Sequence, residues 1–163
     1  MMHALIPGSF DPMTLGHLDI VRRARQLYDK VTVAVMINES KTYALSLEER
    51  AEMARLTLSE LPDVEVVADD GMLTDLFDRI GADVIVKGIR NETDRLYEER
   101  MAAYNLERNP RAVTVFLQAA DDFEEISSTR VRELLRSGKA PDGLLDARVQ
   151  AYLLAKGKEE GDG

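Results

Sequence analysis

Apolar residues in this chain come in two patterns that alternate from one end to the other: short, nearly unbroken runs, and stripes at helical spacing. The first run, His3 to Ile6, ends at Pro7-Gly8. From about Gly16 to Tyr28 the period becomes helical, with Ile20, Val21, Ala24, Leu27 and Tyr28 on one face. Val31 to Ile37 is β-branched and almost continuously apolar, as expected of a strand covered on both faces in a parallel sheet. Ser46-Leu47-Glu48-Glu49 is a capping-box sequence. Leu47, Ala51, Ala54, Leu58 and Leu61 continue from it as a helical stripe that stops at Pro62-Asp63. Val64 to Val67 reads as a third strand. Met72, Leu73, Leu76, Phe77 and Ile80 mark a helix ended by Gly81, and Asp83 to Lys87 reads as a fourth strand closed by Gly88.

A long polar helix is predicted from about Glu92 to Glu107, with Tyr97, Met101 and Tyr104 on its inner side and Asn109-Pro110 at its end. Ala112 to Leu117 is a fifth strand. A helix opening at Ser127-Ser128-Thr129 turns Val131, Leu134 and Leu135 inward, with Gly138 as its C-cap. A last helix from about Asp142 carries Leu145, Val149 and Tyr152. Alternating strands and helices predict an α/β protein: one doubly wound, Rossmann-like domain over 1–155, with a five-stranded parallel sheet and helices on both faces. Residues 156–163 are polar and glycine-rich and read as a disordered tail. There is no internal repeat or linker.

Composition narrows the function. The net charge of -9 argues against a nucleic-acid partner held by general electrostatics, but not against a small anion met by locally converging cations. With no cysteine, disulfides and thiolate metal sites are excluded. No signal-like or membrane-length apolar run occurs, so a cytoplasmic protein without a membrane partner is expected.

In such sheets, ligands bind where the C-terminal ends of the strands meet the switch in strand order. The loops expected at that edge carry the candidate chemistry. The first, from Pro7 through Ser9-Phe10-Asp11-Pro12 to Thr14-Leu15-Gly16-His17, leads into a helix N-terminus, where first-turn N–H groups and the helix dipole favour a phosphate. His17 is either an ordinary helix-start residue or a group acting on that phosphate, with Ser9 across the loop as a second donor. Lys41, Lys87 and Arg90 belong to the same edge. They are either surface charges or an anion clamp, in which Arg90 can bind two phosphate oxygens at once. Ser127-Ser128-Thr129 is a helix cap or a second phosphate cradle, while Arg130 and Arg132 read as exposed helix charges. Asp94, Tyr97 and Glu98 stay open between core or surface roles and nucleotide contacts. No Gly-x-Gly-x-x-Gly, Walker or Gly-x-Ser-x-Gly sequence is present. Two phosphate cradles, a histidine and several cations suit in-line displacement at phosphorus, driven by positioning and charge stabilisation.

The segments Pro7-Gly8-Ser9-Phe10-Asp11-Pro12, Thr14-Leu15-Gly16-His17 and Ile126-Ser127-Ser128-Thr129 resemble the signature of the nucleotidyltransferase superfamily with the (H/T)-x-G-H motif. Lys41 and Lys87-Gly88-Ile89-Arg90 make the chain similar to the phosphopantetheine adenylyltransferase family within it. The resemblance implies transfer of AMP from ATP to 4′-phosphopantetheine with Mg²⁺, in a homohexamer. It implies His17, Ser9 and Lys41 as catalytic residues. It places ATP on Ser9, Phe10, His17, Gly88, Ile89, Arg90, Glu98 and the segment Phe123, Glu124, Glu125, Ile126, Ser127, Ser128 and Thr129. It places the acceptor on Ser9, Lys41, Leu73 and Lys87, and it supplies no protein ligand for the metal. The chain departs from the family pattern at Arg95-Leu96 and Glu124. Two other readings are a transferase acting on another monoester, such as nicotinamide mononucleotide or glycerol phosphate, and a catalytically silent nucleotide-binding protein.

Overall fold

The computed structural model describes residues 1–162. Five strands alternate with helices: β1 (His3–Gly8), α1 (Leu15–Leu27), β2 (Lys30–Met36), α2 (Leu47–Thr57), β3 (Glu65–Asp69), α3 (Leu73–Arg79), β4 (Val84–Ile89), α4 (Glu92–Arg108) and β5 (Thr114–Gln118). A single 3-10 turn at Asp121–Phe123 then leads to α5 (Ser128–Arg136) and α6 (Ala147–Asp162). Every strand pairing is parallel, in the order β3-β2-β1-β4-β5. The chain winds outward from β1 to β3, then restarts beside β1 at β4, so the switch in strand order lies between β1 and β4. This is the doubly wound, Rossmann-like sheet that the sequence predicts.

Strand side chains alternate between two cores. Ala4, Ile6, Val31, Val33, Val35, Val84 and Val86 face α1 and α2, meeting Ile20, Val21, Ala24, Ala51, Ala54 and Leu58. Leu5, Ala34, Met36 and Ile85 face the other way, against Leu76 and Phe77 of α3 with Ala82 and Ala112. A third cluster, Leu45, Met53, Val131, Leu145, Val149 and Leu153, seats α5 and α6 on the far side of α2. Helix α2 is thus apolar on two sides: its alanines meet the sheet and Met53 meets α6.

Three expectations are corrected. Leu27, at the end of α1, is exposed, because the core stripe of that helix is Leu18, Ile20, Val21 and Ala24. Tyr97, Met101 and Tyr104 do not face inward: they are 47%, 38% and 44% exposed, and Asn105 is the buried residue of α4. Their spacing makes a stripe, but a stripe does not say which surface covers it. Helix α6 begins at Ala147, with Leu145 buried in the preceding turn and Tyr152 exposed. Helix α6 runs on through Asp162. Lys156 lies 2.6 Å from Glu49, and Tyr152 donates to the same carboxylate, so helical structure continues past the last apolar contact.

Candidate active site

The first helix start is built on a capping box with a histidine in the usual glutamate place. Thr14 is the N-cap of α1, and its hydroxyl accepts from the His17 N–H at 3.4 Å. In return, Nδ1 of His17 accepts from the Thr14 N–H at 2.9 Å, with Thr14 Oγ1 3.2 Å away. A ring nitrogen that accepts from an amide cannot also carry a proton, so the proton of neutral His17 is on Nε2. Removal from water lowers the His17 pKa to about 4, and the nearby positive charges of Lys87 and then Arg90 add to the effect. His17 is therefore a neutral hydrogen-bond donor at physiological pH. An anion bound to Lys87 and Arg90 would offset the second and third of these causes, though not the first.

The loop before it is held in shape by close packing. Phe10 has φ +47°, a left-handed conformation that costs a bulky residue on the order of 1–3 kcal/mol. Its ring meets His17 edge-on at 5.0 Å and also covers Gly8, where an added Cβ would come within 2.7 Å of the ring. Asp11, 3% exposed, accepts from the Ala44 and Leu45 N–H groups at 2.9 and 3.0 Å. This ties the Lys41 loop to the β1 loop. On the opposite side, Ser128 Oγ donates to the Pro12 carbonyl at 2.7 Å and Arg132 donates to the Asp11 carbonyl at 2.8 Å. Three segments distant in sequence thus form one assembly.

At the end of β4, α4 supplies the counter-charges. Lys87 pairs with Glu98 at 3.4 Å, and Arg90 pairs with Asp94 at 3.2 Å while its own N–H bonds the same carboxylate. Gly88 lets α1 lie close: a Cβ there would be 2.8 Å from Ile20. These elements enclose a cavity of about 530 Å³ over the switch between β1 and β4. Its wall includes Ser9, Phe10, His17, Lys41, Lys87, Gly88, Ile89, Arg90, Glu98, Phe123, Ile126, Ser127, Ser128 and Thr129.

Three of the residues expected at the site lie elsewhere. Glu124 and Glu125 border an adjoining depression with Arg90 and Asn91. Leu73 opens α3 and packs against the Leu5–Phe77 core, outside the cavity wall. The hydroxyl cradle is also narrower than the sequence suggests. Ser128 donates its proton to Pro12, whereas Ser127 and Thr129 accept, from the Arg130 N–H and from Arg132, and so keep theirs for a ligand. Arg132 is no plain surface charge but part of the wall, and Tyr43, Asp11 and Asp94 line it too. The signal that points to Arg132, read from the sequence as an exposed helix charge, is its place one turn after Ser128; Tyr43 has no sequence signal. Among the described residues, no group of three or more histidines or carboxylates is placed to hold a metal ion.

A neutral N–H donor, paired cations and the N–H groups of α5, which lack helical partners, surround one space. That equipment suits group transfer at phosphorus, and the comparisons with known proteins agree. The sequence model of the cytidylyltransferase-like family matches residues 5–134, and the chain belongs to that family of nucleotidyltransferases. A solved Vibrio parahaemolyticus structure, provisionally assigned as a nicotinate-nucleotide adenylyltransferase, shares the fold with a TM-score of 0.72 at 21% identity, covering 96% of this chain and 94% of its own. More narrowly, the chain belongs with the phosphopantetheine adenylyltransferases. It is 46% identical over 153 residues to that enzyme of Acidovorax sp. strain JS42, covering 94% of this chain and 93% of the relative. The Limosilactobacillus reuteri enzyme is 40% identical over 153 residues, with 94% and 88% covered.

Proposed function

We propose that the protein transfers the adenylyl group of ATP to 4′-phosphopantetheine, releasing dephospho-coenzyme A and pyrophosphate. An acceptor phosphate oxygen bonds to the α-phosphorus, and the bond from that phosphorus to the bridging oxygen of the β-phosphate breaks. Pyrophosphate leaves with the electron pair. The observation that carries this reading is His17, fixed in its Nε2–H tautomer on the wall of a cavity flanked by Lys41, Lys87 and Arg90. Negative charge grows on the transferring phosphate in the transition state, and a preorganised donor there is worth more than one that must reorient.

In this reading Ser9 and His17 serve the transferring group, Lys41 bridges the acceptor and ATP phosphates, and Lys87 holds the acceptor phosphate. Phe10, Gly88 to Arg90, Glu98, Phe123 and Ile126 to Thr129 serve ATP. Lys87 and Arg90 would exchange their carboxylate partners for phosphate oxygens as ligand arrives. With no protein cage among the described residues, Mg²⁺ would enter on the ATP phosphates and supply charge neutralisation there. Full-length similarity to named phosphopantetheine adenylyltransferases supports this acceptor over other monoesters. Among the described residues no helix is long and apolar enough to cross a membrane, which fits work in the cytoplasm. The exposed stripe on α4 supports assembly with further copies, as a homohexamer.

The direct test is to incubate the protein with ATP, Mg²⁺ and 4′-phosphopantetheine and follow pyrophosphate. Release is expected. Release with nicotinamide mononucleotide or glycerol phosphate, and none with 4′-phosphopantetheine, would overturn the reading.

A further inference from the structure

Arg50 is the largest fully buried side chain among the described residues, at 1% exposure, and it donates its hydrogen bonds to backbone carbonyls. Its Nη1 donates to Ser9 at 2.7 Å and to Met36 at 2.9 Å, and its Nε donates to Leu45 at 3.3 Å. Ser9 follows β1 and Met36 ends β2, so the guanidinium sits across the C-terminal ends of two neighbouring strands. The ladder leaves carbonyls without partners at those ends, and Arg50 takes them up. Burial lowers its pKa, yet a guanidinium stays charged, so this placement retains a cation at real desolvation cost.

The same guanidinium stacks on the Tyr43 ring, 4.0 Å from its centre. The Tyr43 hydroxyl in turn lies 3.3 Å from Ser9 Oγ and accepts from the Asn38 N–H at 2.6 Å. One connected set of contacts therefore joins Ser9 by its carbonyl and by its hydroxyl to both ends of the loop that carries Lys41. The Tyr43 ring lies outside the three apolar core clusters.

We infer that Arg50 and Tyr43 are a positioning pair, fixing the Ser9 hydroxyl and the Lys41 loop at the separation that acceptor binding requires. The inference rests on the proposed reading in which Ser9 serves the transferring group where the acceptor meets it and Lys41 bridges the acceptor and ATP phosphates. Tyr43→Phe keeps the ring on Arg50 and removes only the hydroxyl. Arg50→Lys keeps the charge but loses the planar fork that serves several carbonyls and the stack.

The experiment measures acceptor KM, kcat, affinity for a non-hydrolysable ATP analogue, and Tm for both variants beside the unaltered protein. Tyr43→Phe should raise acceptor KM about fivefold, the size of one modest hydrogen bond, with ATP-analogue affinity unchanged and Tm lowered by no more than about 3 °C. Arg50→Lys should lower kcat/KM for the acceptor by about 10- to 100-fold, with a smaller loss of ATP-analogue affinity. If Tyr43→Phe leaves acceptor KM and kcat unchanged, the inference is overturned. It is equally overturned if both variants lose ATP and acceptor binding in parallel with Tm, because that is a purely structural effect. Should Arg50→Lys not fold, Tyr43→Phe decides alone. If the unaltered protein uses a different monoester, the proposed function fails, and the positioning pair is then judged on KM for that monoester.

Discussion

The residue that decides most is His17, and two measurements bear on it. His17→Ala removes one transition-state donor and should slow the chemical step by about 10²–10³-fold, read in single-turnover experiments. Affinity for ATP should change far less, and an equal loss in binding with turnover intact at saturation would make His17 a ground-state ligand only. The second measurement concerns pH. The native pKa of His17 is about 4 and its ordinary value is 6.5, so between these the unfolded chain binds more protons than the folded one. Stability must then fall as pH drops from 6.5 towards 4, by at most roughly 1.4 kcal/mol per pH unit, with no contribution above 6.5. His3, whose pKa burial also lowers, acts in the same direction at the other end of the sheet. Urea melts of His17→Gln should therefore show a shallower acid slope, not a flat one. That a histidine stood at a helix start was legible from Thr14-Leu15-Gly16-His17; which nitrogen carries its proton was not, because that depends on a backbone N–H placed by the fold.

Among the elements, α5 shows how a motif can be right in place and different in detail. The sequence located Ser127-Ser128-Thr129 at a helix start beside the cavity. Only the structure divides the labour: Ser128 fastens the helix to Pro12, while Ser127 and Thr129 keep their protons. Ser128→Ala should thus cost about 1 kcal/mol of stability and lower Tm by about 3 °C, with a rise in ATP KM, as the α5 end loosens from the β1 loop. Ser127→Ala should weaken ATP binding more directly, since its hydroxyl accepts from the Arg130 N–H and keeps its own proton for a ligand. Strand positions were readable to within a residue or two because a strand buried on both faces leaves an unbroken apolar run. Helix α4 was readable in extent but not in orientation, since Tyr97, Met101 and Tyr104 are apolar on a helix that shows little of itself to the sheet.

On the scale of the whole molecule, that outward stripe is the clearest unexplained surface. For the proposed homohexamer, light scattering after size exclusion should read about six times the 18.3 kDa chain mass, and Met101→Asp, at the centre of the stripe, should move it toward one. An unchanged mass would remove α4 from the contact. The charge of -9 conceals the site's polarity, because Lys87 and Arg90 are matched within the fold by Glu98 and Asp94. The sequence displayed the cations and the carboxylates in one stretch, Lys87 to Glu98, but their pairing needed the turn of α4. Arg50 and Asp11 were illegible for the same reason: each binds backbone of segments far away in the chain, and backbone carries no letter.

The Thr14–His17 pair also limits what can be improved in this protein. A glutamate in place of His17 would complete the commoner form of the same helix cap. His17→Glu should accordingly fold and melt like the parent while its adenylyl transfer collapses. Any selection that scores only heat resistance would accept it, and a library enriched that way would drift toward well-made, inert protein.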